Sequence, residues 1–241
     1  MNEIQLDEFK QAIAKIYDRR QDTYDRGGKD NWHYKLACRL VEHADLQAGQ
    51  QVLDLATGTG MVGIEAAKQV GASGKVIGID ISPGLLSVAQ PKVDAADLSD
   101  IIQFELADIE TLNFPEASFD SVFCCSALPL LTDVAGDLRL WYNFLKPKGK
   151  LCLCVFAETA FVTGVVLQEV ARRYGVEIMM SDLTGTEAKT HALLETAGYK
   201  NIQIITEQYG YYTNFESVAI KDWDISLQYP HYQLLQNLEP Q

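Results

Sequence analysis

The stretch Val52-Leu53-Asp54-Leu55-Ala56-Thr57-Gly58-Thr59-Gly60-Met61-Val62-Gly63 decides the fold. It opens on the apolar run Gln51–Leu55 (QVLDL), which holds a single acid, and it closes on a G-x-G-x-x-G pattern, Gly58 to Gly63. Glycines there permit a tight turn and let a ligand approach the backbone, and a helix starting at Met61 aims free N–H groups at that ligand. Alone, the pattern also suits a dinucleotide binder, with Asp80 about 20 residues on as the ribose carboxylate. Asp54 separates the readings. A pyrophosphate at this turn would be repelled by a buried carboxylate inside the first strand, whereas a cationic ligand would be drawn to it. An unpaired buried charge is expensive, so Asp54 needs hydrogen-bond donors or a cation.

Outward from this turn the same unit recurs: an apolar run, a turn, a helical pattern. Lys75–Ile79 (KVIGI), Ile101–Leu106 (IIQFEL), Phe119–Cys125 (FDSVFCC) and Lys150–Phe156 (KLCLCVF) join Gln51–Leu55 as buried strands, near-continuously apolar as a parallel sheet covered on both faces requires. Helices are expected at Met61–Val70, Pro83–Val93 and Asp133–Leu145, the second opened by a Ser82-Pro83 start signal. Further helices at Phe161–Tyr174 and Thr186–Thr196 lead into Asn201–Thr206 and then Gln208–Phe215, expected as an antiparallel addition at one sheet edge. Residues before Gln47 read as one or two helices across the sheet's C-terminal edge. The expected architecture is a single α/β domain with a doubly wound, mostly parallel, seven-stranded sheet.

Three carboxylates then fall on three successive strands: Asp54 inside the first, Asp80 ending the second (GID), Asp108 following the third (LAD). In an open α/β sheet the C-terminal strand edge is where ligands bind. The chain has 241 residues and a formal net charge of −13, which excludes a phosphate backbone as partner. Val93–Leu138 holds ten acids and no Lys or Arg. No signal peptide and no run long enough to span a bilayer is present, so a soluble, cytoplasmic protein is expected. Five cysteines, four of them in the apolar runs FCCSAL and LCLCVF, read as buried free thiols with no metal-ligand spacing.

At these residues the chain resembles the class I S-adenosylmethionine-dependent methyltransferases, in particular the branch of ubiquinone/menaquinone-biosynthesis and related small-molecule enzymes. VLDLATGTG resembles the family's first motif, GIDIS its second, ADIETLNFPEASFDSVFCCSALPLLTD its third and fourth, and LKPKGKLCL the segment entering strand five. Ile16–Asp25, with Tyr17-Asp18 and Tyr24-Asp25, resembles the branch's paired Tyr-Asp lid segment. The resemblance implies a Rossmann-like methyltransferase fold with lid helices over 1–46, a cofactor-binding core over 47–160, and acceptor-side helices and edge strands over 161–241. It implies S-adenosyl-L-methionine as cofactor. Ala56, Gly58 and Gly60 would line its methionine part, and Asp54 would hold that loop. Asp80 would accept from both ribose hydroxyls, with Ile81 against adenine. Asp108 would accept from the adenine amino group, and Ile109 would offer a backbone N–H. Cys125 and Ser126 would flank the sulfonium-bearing chain, and Tyr24 would close the lid. An acidic cleft would favour the sulfonium over its neutral product. Members of the similar branch often run on into further helices, and Asp222–Gln241 has no terminating signal.

Methyl transfer from a sulfonium needs proximity, orientation and dryness more than a base. His33, His43, His191 and His231 are the histidines, and none is assigned as a catalytic base. The acceptor pocket is expected from the lid, Ala127–Leu131 and Glu158–Leu183, with Phe161, Val162, Met179, Met180, Tyr211 and Tyr212 favouring a lipophilic or aromatic small molecule. Two other classes stay open on sequence: a non-catalytic cofactor-binding protein and an NAD(P)-dependent oxidoreductase.

Overall fold

The computed structural model describes residues 3–158, 160, 162–176 and 183–208. Helices α1 (Glu3–Asp18), α2 (Gln21–Tyr24) and α3 (Trp32–Ala44) precede a core of β1 (Gln51–Leu55), α4 (Met61–Val70), β2 (Lys75–Asp80), α5 (Pro83–Ala95), β3 (Ile102–Leu106), β4 (Phe119–Cys125), α6 (Val134–Phe144) and β5 (Leu145–Cys154). Helices α7 (Val162–Arg173) and α8 (Glu187–Thr196) follow. The strands form a parallel sheet in the order β3-β2-β1-β4-β5. The chain thus moves outward one way from β1, then returns to β4 on its other side, leaving a crevice at the C-terminal ends of β1 and β4.

Alternation along the strands divides the core into two layers. Val52 of β1 and Phe123 of β4 face one way, onto α3 (Ala37, Val41), α4 (Ala66, Val70) and Val93 of α5. Leu53, Leu55, Val122 and Cys124 face the other way, onto Leu138, Trp141 and Phe144 of α6. The helix starts follow local side-chain chemistry. Ser82 Oγ accepts from Leu85 N at 3.1 Å ahead of α5, and Asp133 accepts from Gly136 N at 2.9 Å ahead of α6. Asn31 and Thr186 cap α3 and α8 in the same way.

The structure departs from some of these expectations, and others fall on residues outside those described. Five strands of the expected parallel sheet lie among the described residues, and the expected edge strand at Gln208–Phe215 runs beyond them. Residues 201–208 form no strand ladder there, although Ile202 and Ile204 are half-buried between exposed neighbours. A strand exists through its ladder, and periodicity alone does not supply the partner. Gln208–Phe215 lies outside the described residues from Tyr209 on, as do Phe161, Met179, Met180 and His231. The N-terminal region forms three helices rather than one or two, and α3 joins the core instead of crossing the sheet edge. Smaller shifts place Asp133 outside α6 as its cap and carry α5 through Pro91 to Ala95. Pairing extends β5 back to Leu145, with an irregularity between Phe119 and Ser121 of β4. No helix among the described residues is long and apolar enough to cross a membrane.

Candidate functional site

The site begins beneath the glycine turn. Asp54 is 1% exposed; its Oδ2 accepts from Thr57 Oγ1 at 2.5 Å, and the backbone N–H of Gly63 also faces the carboxylate. Burial pushes its pKa up to about 7, and the two donors oppose that rise. Asp54 therefore ties the strand end to the turn and to the first turn of α4. Above it the backbone is left-handed at Ala56 (φ +54°), Gly58 (+58°) and Gly60 (+79°). At Gly60 a side chain would also strike Phe104, 2.9 Å from an ideal Cβ, so packing as well as φ demands glycine. At Gly58 the nearest atom to such a Cβ is Leu85 Cδ1 at 3.8 Å, so that this face of the turn is left clear by the protein.

Asp80 ends the neighbouring strand and is 6% exposed. Its Oδ2 accepts from Gly58 N at 2.7 Å and its Oδ1 from Ser82 N at 2.8 Å. Burial raises its pKa against the pull of the Ser82, Gly58 and Ile81 backbone donors. Each carboxylate oxygen has more than one acceptor position, so both retain capacity for a diol. Asp108, after β3, accepts from Glu110 N at 3.0 Å and from Lys10 Nζ at 2.5 Å. Lys10 also lies 3.6 Å from Glu110, so the acid-rich edge receives a cation from α1. Ile109, beside Asp108, is buried against α6, its carbonyl accepting from Trp141 Nε1 at 3.4 Å.

Across the crevice, Ser126 follows β4 in a left-handed conformation (φ +65°), its N–H donating to Cys154 O at 2.9 Å. Ser126 Oγ lies 3.7 Å from Cys125 Sγ and 3.9 Å from Cys154 Sγ. Cys125 and Cys154 pair across β4 and β5, and their thiols influence each other, raising the Cys125 pKa and lowering that of Cys154. All five cysteines are free, but only Cys124 is fully buried. The left-handed non-glycine residues Ala56 and Ser126 stand at the ends of β1 and β4, the two walls of the crevice.

The N-terminal helices are fastened to the strand ends by Asp18 and Asp25, through partners that the sequence did not single out. Asp18, at the end of α1, accepts from Ser82 Oγ at 2.6 Å and Gly84 N at 2.8 Å. Gly84 has no room for a side chain, because Asp18 Oδ1 stands 2.7 Å from its ideal Cβ. Asp25 accepts from Thr59 Oγ1 of the glycine turn and from Lys92 Nζ of α5, each at 2.6 Å. Tyr24 packs between Tyr17, with ring centroids 6.3 Å apart, and His33, at 4.7 Å. The repeated Tyr-Asp pair was the legible signal: each aspartate anchors the lid at a different strand end. His43 and His191 are far from this assembly in role, paired with Glu207 and Glu195.

The arrangement fits a nucleoside with a cationic tail. A buried carboxylate with spare acceptor positions stands at the end of β2, the glycine turn beside it is left clear, and acids stand at the ends of β1 and β3. The methyltransferase-domain family matches residues 46–212. Demethylmenaquinone methyltransferase of Symbiobacterium thermophilum is 33% identical over 154 residues, 64% of this chain and 59% of that protein's length. Aklanonic acid methyltransferase DauC of Streptomyces sp. (strain C5) is 32% identical over 156 residues, covering 65% of this chain and 69% of that one. The solved structure of a SAM-dependent methyltransferase from Aquifex aeolicus matches with a TM-score of 0.58 at 19% identity, over 75% of this chain and 87% of that one, which establishes the shared fold. By a match that takes in the sheet, the glycine turn and the acids at its edge, this chain belongs to the methyltransferase-domain family.

Proposed function

We propose that this protein transfers a methyl group from S-adenosyl-L-methionine to a small lipophilic or aromatic acceptor, in the cytoplasm and without a nucleic-acid partner. The observation that carries this reading is the buried Asp80 carboxylate bridging Gly58 N and Ser82 N beside the clear glycine turn. Asp80 holds the two ribose hydroxyls, and Ile81 packs against adenine. Asp108 takes the adenine amino group, with the Ile109 N–H on the ring. Ala56, Gly58 and Gly60 line the methionine portion on a turn that Asp54 fixes from below through Thr57. Cys125 and Ser126 flank the reacting end, and Tyr24 closes over it.

When bound, the cofactor supplies an activated methyl on a cationic sulfur. The chain's own part is to hold the acceptor atom in line and to keep water out. The lid contacts of Asp18 and Asp25 serve that exclusion, since they draw α1 and α2 down onto the strand ends. A small lipophilic or aromatic acceptor is supported by demethylmenaquinone and aklanonic acid, which the names of the curated relatives print. Residues 161–241 supply the rest of the acceptor side. Incubation with S-adenosyl-L-methionine and a panel of phenols and quinols, read by mass spectrometry, tests the reading. A product heavier by one methylene, with S-adenosylhomocysteine in equal amount, is expected. Cofactor binding with no methylated product from any acceptor class would leave a binding protein instead.

A further inference from the structure

A cavity of about 380 Å³ lies between α2, the turn at Gly28–Asp30 and the start of α3. Its volume falls in the range of small-molecule sites. One end is pinned to the glycine turn by Asp25 and Thr59, and the other meets the end of β5, where Trp32 stands edge-on to Phe156 at 6.1 Å. It therefore adjoins both the glycine turn and the segment that follows β5.

Its lining is at odds with the rest of the chain. In a protein of net charge −13 this cavity presents Arg20 and Arg26. The acid on its wall, Asp30, turns outward: its side chain is 97% exposed and 3.7 Å from Lys35. Arg20 lies over the rings of Tyr17 and Tyr24, at 5.3 and 5.1 Å, which keeps its guanidinium stacked beside the cavity rather than loose in solvent. No ion pair engages Arg26 among the described residues. Tyr24 and Trp32 add aromatic faces.

His33 adds direction. Asn31 Nδ2 donates to Tyr24 O at 2.7 Å and to Arg26 O at 3.1 Å, while Asn31 Oδ1 accepts from His33 N at 2.8 Å. Those contacts fix which end of the amide is oxygen. His33 Nδ1, 3.2 Å from that oxygen, must then carry the proton. Nε2 is left as an acceptor. Burial, then the nearby Arg20 charge, hold the His33 pKa down to about 4, so the ring stays neutral at physiological pH.

We propose that this cavity is the acceptor subsite and that it selects a hydroxylated aromatic bearing an anionic group, with Arg20 and Arg26 on the anion and His33 Nε2 on the hydroxyl. The inference rests on the methyltransferase reading and gives it a substrate class. In the transfer, the hydroxyl oxygen's lone pair forms the new O–CH₃ bond as the C–S bond breaks. Sulfur keeps that bond's electron pair, and the hydroxyl proton passes to His33 Nε2 and on to water.

Calorimetric titration of the intact chain with 3,4-dihydroxybenzoate and with catechol, each with and without S-adenosylhomocysteine, tests it. The carboxylate should improve affinity about tenfold or more, as a charge-assisted pair does. Arg26→Gln should remove that advantage while leaving catechol and S-adenosylhomocysteine binding unchanged. His33→Phe should weaken both phenols but not benzoate. Equal affinity for the two phenols, no binding of either, or an Arg26→Gln variant that keeps the preference would overturn the proposal. If S-adenosylhomocysteine fails to bind while the carboxylate preference persists, the methyltransferase reading falls and the anion subsite stands.

Discussion

The floor of the site and its lid use the same side chain in different ways. On the floor, Asp54 and Asp80 accept from partners close in the chain or on the adjoining strand: Thr57, Gly63, Gly58 and Ser82. Both are almost fully buried. On the lid, Asp18 and Asp25 are half-buried and reach across 34 to 67 residues to Thr59, Ser82, Gly84 and Lys92. The floor acids hold a turn that must not move. Asp18 and Asp25 hold two helices over the strand ends by polar contacts at the rim, each individually weak.

The contrast makes ordered predictions. The largest effect belongs to Asp80→Ala, which should weaken S-adenosylhomocysteine by about 100-fold or more in calorimetry, since it removes a charged acceptor for two hydroxyls. Its melting temperature should fall by only a few degrees, about the cost of the unsatisfied Gly58 and Ser82 donors. Next comes Thr57→Val, which leaves Asp54 short of a buried donor and should cost about 1–3 kcal/mol in urea unfolding. The matching lid change, Thr59→Val, should cost under about 1 kcal/mol. It should instead speed ligand release several-fold in stopped-flow displacement. Equal stability losses for the two threonine variants would erase the distinction between floor and lid.

The smallest effect is one of pH. The folded Asp54 pKa, about 7, lies above the usual 3.8, so the folded state binds the proton more tightly than the unfolded chain. This group's contribution to stability is therefore largest at acid pH and is lost as pH rises from about 4 to 7. Asp54→Asn should flatten that part of the melting-temperature profile. A profile unchanged by the substitution would place the titration elsewhere.

The same contrast marks how far the sequence could be read. β1, the glycine turn and Asp80 declare themselves because the determinants are contiguous: an apolar run, glycines where φ is positive, an acid at the next strand end. The Tyr-Asp repeat flagged the lid segment, but periodicity could not show that Asp25 would find Thr59 and Lys92, or that Lys10 would reach Asp108. Those contacts depend on how α1 and α2 lie over the sheet, which no local pattern encodes. The arginine-lined cavity escaped for the same reason: nothing in the local pattern around Arg20 and Arg26 shows that Asn31 and His33 line the same cavity. Asn201–Thr206 shows the converse, an alternating run without a ladder among the described residues.

The most direct test of the central claim is the titration of S-adenosylhomocysteine, and separately of NADH, into the intact protein. The floor geometry predicts saturable binding of one S-adenosylhomocysteine per chain and no heat from NADH. NADH binding with S-adenosylhomocysteine silent would contradict it, and would return the glycine turn to a dinucleotide.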